Sequence, residues 1–179
     1  MTKGKTLTLV NCALVAALYT VLTLWVAPLA FGAMQFRVSE ALTLLAVFSP
    51  WMVGAVTLGC LVSNLVGFLM GATLLVDVVV GPIATLLAAT MTYLLRNIRI
   101  KKVPVLSALM PVIFNGLIIG AMLALMLFDE FRLSTFALQA GGVALGEVIP
   151  CLLLGPLLVL TLEKSSLDRR FFGAKAKAL

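Results

Sequence analysis

Gln35-Phe36-Arg37-Val38-Ser39-Glu40 sets an arginine and a carboxylate three residues apart, between two long apolar runs. A charge inside a bilayer costs roughly 2.5–3.5 kcal/mol even on the mild insertion scale, so its default reading is functional, with a partner. The runs on either side decide the class. Of the 179 residues 63% are hydrophobic and 11% charged, and the mean hydropathy is +1.20. Soluble domains average about 25% charged residues, so this chain lacks the polar surface to face water. It reads as an all-α integral membrane protein, one transmembrane bundle.

Upstream of the charged stretch, the apolar run over about 7–29 is long enough to cross a ~30 Å core, and Pro28 and Gly32 end it. Residues 30–36 then form a loop that need not leave the membrane if protein buries it. A second helix runs from Arg37 or Ser39 to Ser49, because Pro50 disfavours helix at the residue before it. At about 13 residues, or ~20 Å, it is too short to span alone. Helices over 51–68, 73–95, 104–128 and 134–163 complete six segments. Small residues at four-residue intervals (Ala55, Gly59, Ser63, Gly67, Gly71, and again Gly116, Gly120, Ala124) make ridges that let a helix approach closely. Gly141, Gly142, Gly146 and Pro150 predict a kink or unwinding in the sixth segment. One domain results, with a membrane bundle at about 7–163 and a frayed basic tail at 164–179.

The net charge of +6 does not indicate nucleic acid, because the basic residues sit at segment ends. Eleven of the 13 fall in three clusters: Lys3 and Lys5; Arg96, Arg99, Lys101 and Lys102; Lys164, Arg169, Arg170, Lys175 and Lys177. Juxtamembrane basic clusters mark the cytoplasmic side, which places both termini inside and the polar turn 129–132 outside. Trp51 reads as an interfacial anchor on the cytoplasmic side. The start of the chain superficially resembles a signal peptide. Its apolar run exceeds the ~7–15 residues of such a region and more spans follow, so a retained first helix is expected. Cys12, Cys60 and Cys151 lie in apolar runs without paired spacing and read as small hydrophobes. Histidine is absent, which excludes histidine metal sites and the usual catalytic triads.

Helical rise assigns each membrane polar group a height above the cytoplasmic boundary. Glu40 comes at ~15 Å, Arg37, Asn64 and Asp77 at ~20 Å, Asn115 at ~16 Å and Glu147 at ~10–15 Å. Five segments thus deliver polar groups to one layer, which is what a cavity open to the outside requires. One arginine against Glu40, Asp77 and Glu147 leaves a formal −2. Either burial keeps some carboxylates protonated, or the cavity expects a ligand with positive charge or several N–H donors. Blander readings stand beside this one. Arg37 and Glu40 can neutralise each other at i,i+3, Asp77 can cap the fourth helix, and Asn64 and Asn115 can be interhelical hydrogen-bond glue. Glu147 has the weakest bland explanation.

These residues carry a resemblance. Small basic six-helix membrane proteins with an alanine-rich first helix are similar to S components, the substrate-binding subunits of energy-coupling-factor transporters. The run from Gln35 to Leu45 resembles the QueT family of queuosine-precursor carriers within that group. Leu58-Gly59-Cys60-Leu61 with Asn64, Asp77-Val78-Val79-Val80-Gly81, Val112-Ile113-Phe114-Asn115-Gly116 and Gly146-Glu147 extend it over about residues 10–163. The resemblance implies an S component of the bacterial cell membrane that binds substrate outside, under the loop 30–36. It would then dock through Ala13 and Ala17 onto a shared membrane subunit with two cytoplasmic ATPases. ATP is then the partners' cofactor and this chain binds none, consistent with its lack of a phosphate-cradling G-x-x-x-x-G-K-[ST] loop. A 7-deazaguanine offers adjacent N–H donors that a carboxylate accepts as a pair. Glu40 or Glu147 would take that edge, Arg37 would orient a carboxylate or pair with the carbonyl, and Asp77 or the other glutamate would take an amine, with Phe36 or Phe114 stacking on the base. The competing classes are a stand-alone proton-coupled carrier of a small polar or cationic solute and a structural membrane subunit.

Overall fold

Proline placement decides where the first helices stop. In a computed structural model that describes residues 3–32, 34–127 and 132–172, α1 spans Lys3–Trp25 and α2 Ala27–Ala30. The break at Val26 falls two residues before Pro28, whose ring would clash with the carbonyl one turn back in a continuous helix. Pro28 therefore starts a short second helix rather than ending the first, a correction to the expected single helix. A loop leads to the charged stretch, with Gln35 in the left-handed region (φ 42°).

The expected short second helix is a 3-10 helix, Val38–Val47, with Arg37 as its extended N-cap. At ~2.0 Å per residue its ten residues reach ~20 Å instead of the ~15 Å an α-helix would give. That raises Arg37 above the height obtained by α-helical counting. Residues 39–47 are all buried, and the element touches α1 and α3 (Trp51–Leu69), α4 (Asp77–Leu94), α5 (Val105–Leu127) and α7 (Gly155–Lys164). It is the axis of the bundle, apolar almost all round because it is enclosed all round. Leu42, Leu44, Leu45, Ala46, Val47 and Phe48 join Tyr19, Met52, Val56 and Val159 in the main core.

Both small-residue ridges face inward, except at Gly71, which lies exposed beyond the end of α3. A Cβ on Gly59 would lie 2.7 Å from the Tyr19 Cβ on α1, and one on Gly120 would lie 2.5 Å from the Ala140 Cα on α6, Leu133–Val148. The sixth predicted segment is interrupted, though not at its glycines. Helix α6 runs through Gly141, Gly142 and Gly146 and gives way to a π-helical turn, Ile149–Leu154, before α7. Pro150 lies at the start of that turn, where the wider helix accommodates a residue that cannot donate its own hydrogen bond. Among the described residues five helices are long and apolar enough to cross a membrane: α1, α3, α4, α5 and the α6–α7 unit. The 3-10 helix is shorter.

The tail is not wholly frayed. Helix α8, Leu167–Phe172, folds back on α1: Asn11 Nδ2 donates to the Phe171 carbonyl, and Phe172 stacks on Phe48 at 5.4 Å. Position 33 of the loop, residues 129–131 of the polar turn and 173–179 of the tail lie outside the described residues. Nearby, Arg99 pairs with Glu163 at 2.6 Å, tying the 96–102 loop to α7.

Candidate functional site

The eclipsed i,i+3 stacking of a 3-10 helix puts Glu40 and Thr43 on one side of it, following Arg37. Arg37 and Glu40 nevertheless do not form an ion pair, so mutual neutralisation is not what holds them. Glu40 is fully buried and held by hydroxyls. Tyr19 of α1 donates to Oε1, Thr43 donates to Oε2 at 2.8 Å, and Thr85 of α4 approaches Oε1 at 3.5 Å. Beside it Thr23 and Ser39 share a hydroxyl contact at 2.7 Å. Tyr19, Thr43 and Thr85 escaped the sequence reading. They are uncharged, and only a tyrosine or threonine already known to face Glu40 stands out from others.

Arg37 is 2% exposed and turns the other way. Its Nε donates to the Ala30 carbonyl at 3.1 Å, and its guanidinium lies 5.3 Å from the centroid of the Phe31 ring. Nη1 lies 3.9 Å from Cys60 Sγ, and Nη2 is buried without a partner. Asn64 reaches the same sulfur, its Nδ2 at 3.7 Å, while donating to the Asp77 carbonyl at 2.7 Å. Gly81 makes that possible, since a Cβ there would overlap Asn64 Nδ2. Asp77 does not cap α4. Its Oδ2 accepts from the Thr73 hydroxyl and from Leu74 N–H at 3.2 Å, organising the turn before the helix and so delaying the α4 start from the expected 73 to 77. Asp77 Oδ1 and Asn64 Oδ1 are buried without partners.

Glu147 is 1% exposed and forms a third group. Asn115 donates to its Oε1 at 3.0 Å, and Cys151, one turn on, donates to its Oε2 at 3.2 Å. Arg37 and Glu40 belong to the 3-10 helix and its cap, and Cys151, the partner of Glu147, to the π-helical turn packed against that helix, so the three groups sit around one element. Cys60 and Cys151 are thus polar partners of these groups and not merely small hydrophobes. Phe36 and Phe114 are half-buried. The aromatic ring against Arg37 belongs to Phe31.

The loop that carries Phe31 is seated on two glycines. At Gly67 a Cβ would lie 2.7 Å from Cε2 and Cζ of Phe31 and 3.3 Å from the Thr73 methyl. At Gly146 it would overlap the Met34 carbonyl, so the backbone after position 33 lies directly against α6 beside Glu147. From the sequence Gly67 is expected in a helix-packing ridge and Gly146 at a kink. Both are seats for the loop. Ala13 and Ala17, by contrast, are exposed, one turn apart on α1.

Comparison with known proteins converges on one family. The family model described as "QueT transporter" matches residues 9–164. A curated protein of Lactococcus lactis subsp. cremoris (strain MG1363), "Queuosine precursor transporter QueT", is 35% identical over 146 residues, which is 80% of this chain and 78% of that protein. No solved structure matches the chain.

Proposed function

The chain belongs to the QueT transporter family, and on that premise we propose that it is the substrate-binding S component of an energy-coupling-factor importer for a queuosine precursor. The observation that carries this reading is the buried polar layer: Arg37, Glu40, Asn64, Asp77, Asn115 and Glu147 enclosed beneath a loop seated on Gly67 and Gly146. A transporter needs a site at such a depth, reached past a segment that can move. The proposed topology has six segments, the 3-10 helix being the second, with both termini cytoplasmic by the positive-inside rule. Substrate enters from the outer side under the 30–36 loop.

Helix α1 supports docking on a membrane partner. The ridges of α3 and α5 are used inside the bundle, whereas Ala13 and Ala17 leave a small-residue face exposed on the least buried of the five long spans. Such a face admits another helix at close range. The partner would be the shared membrane subunit, and two ATPases would supply the energy. This chain performs no catalysis in that scheme. A 7-deazaguanine such as queuine or its aminomethyl or cyano precursors is the proposed substrate.

Two experiments test the reading. Thermal unfolding of the detergent-purified chain across purines, 7-deazapurines and vitamins should show stabilisation by a 7-deazaguanine, about 2.7 kcal/mol at 100 times the dissociation constant. Uptake by cells should require ATP and stop on Ala13→Leu or Ala17→Leu with ligand binding intact. Uptake by the isolated chain in liposomes, driven by a pH gradient alone, would instead establish a stand-alone carrier.

A further inference from the structure

Three polar atoms of the layer are stranded: the Arg37 Nη2 donor and the Asn64 Oδ1 and Asp77 Oδ1 acceptors. Leaving a buried polar atom unpaired is costly, more so when it is charged, so native proteins hold few of them, each with a reason. These three are not scattered. Arg37 and Asn64 meet at one sulfur, Cys60 Sγ, and Asn64 is bonded to the backbone of Asp77. What lies against the first of them is a hydrocarbon ring. Phe31 stacks on the Arg37 guanidinium, and its far edge packs into the Gly67 notch beside Thr73, whose hydroxyl bonds to Asp77. A phenyl ring satisfies the stacking preference of a guanidinium. It offers nothing to the unpaired donor beside it.

We propose that the Phe31 ring is a placeholder in the substrate's ring subsite, displaced by a planar heteroaromatic lactam that pairs its carbonyl with Arg37 Nη2 and two adjacent N–H donors with Asn64 Oδ1 and Asp77 Oδ1. This assignment rests on the queuosine-precursor reading and changes the roles inside it. We do not assign the base edge to Glu40 and Glu147, because each of their oxygens already accepts a protein donor, whereas Asp77 Oδ1 accepts none. They position the layer, and the recognition set is one donor and two acceptors. Phe31 belongs to the same loop as Ala30, the other partner of the Arg37 side chain. Withdrawal of the loop therefore vacates the ring subsite and frees the guanidinium together.

The test uses the full chain in detergent and two probes, 7-deazaguanine and 7-deazahypoxanthine, which differ by the exocyclic amine. The native chain should prefer 7-deazaguanine by about 10-fold or more. Phe31→Ala should tighten binding of both probes by at least about threefold, since no ring has to leave. Asp77→Asn and Asn64→Leu should each weaken 7-deazaguanine about 10–100-fold, and the substitution that removes the reader of the amine should also abolish the preference. Thr73→Val controls for damage to the turn and should keep the preference whatever its melting temperature. If Asp77→Asn fails to fold, Asn64→Leu and Phe31→Ala carry the test. Native affinity and preference in both polar variants, or weaker binding in Phe31→Ala, would overturn the assignment while leaving the substrate reading intact. Failure of the native chain to bind either probe would overturn the substrate reading, and the assignment with it.

Discussion

Glu40 and Asp77 are two buried carboxylates in one polar layer, and they are built in opposite ways. Glu40 is held from three directions: Tyr19 from α1, Thr43 from its own 3-10 helix and Thr85 from α4. All of its donors are neutral hydroxyls from groups distant in sequence or one turn away. Asp77 spends one oxygen on its own preceding turn, through Thr73 and Leu74, and leaves the other without a partner. Burial and charge do not distinguish them; saturation does. A carboxylate with a protein donor at each oxygen holds elements together, while one with an oxygen that accepts nothing has that oxygen left for a ligand.

The largest expected effect comes from breaking the saturated member. Glu40→Ala strands two or three buried hydroxyls at the junction of α1, α4 and the 3-10 helix, and should cost about 3 kcal/mol or more in chemical unfolding of the detergent-purified chain. Gly146→Val attacks the loop seated beside Glu147. The side chain would collide with the Met34 carbonyl, a backbone atom, so either the loop lifts or stability falls by about 1–3 kcal/mol. Limited proteolysis within the loop, compared with native, distinguishes the two outcomes.

Asp77→Asn sharpens the contrast. Its amide oxygen keeps the bonds from Thr73 and Leu74 and exchanges one unpaired acceptor for one unpaired donor, so ligand-free stability should change by less than about 1 kcal/mol. A loss as large as that of Glu40→Ala would show that the two carboxylates play the same structural part. The smallest effect belongs to a charge outside the layer. Arg99–Glu163 is a partly exposed pair, and Glu163→Gln should cost about 0.5 kcal/mol, a loss that shrinks as salt is raised.

Much of the fold was legible because membrane segments announce themselves one at a time. Long apolar runs and the proline at 50 each act locally, and every predicted segment has a helical counterpart among the described residues. The misjudged details are those where a contact overrules local preference. Asp77 delays α4 by binding Thr73 and Leu74, and Pro150 is absorbed by a π-helical turn. Phe172 finds Phe48 across the whole chain and orders part of a tail that composition alone leaves loose. In the site, Arg37, Glu40, Asn64, Asp77, Asn115 and Glu147 were visible as polar residues in an apolar context. Tyr19, Phe31, Thr43 and Thr85 were not, because side chains of those types are common in apolar helices.

By itself, then, the sequence determined the solvent, the segments and the family, since hydropathy, proline and charge position act within a few residues of where they are read. Whether Arg37 pairs with Glu40, which oxygens are saturated and which ring fills the space beside the guanidinium were decided only by the tertiary structure. Arg37 and Glu40 stand three residues apart, yet one faces the loop and Cys60 while the other faces Tyr19, Thr43 and Thr85. The reason is geometric. A hydrogen bond is won or lost over less than an ångström, and that separation is fixed by how the packed elements close around the 3-10 helix.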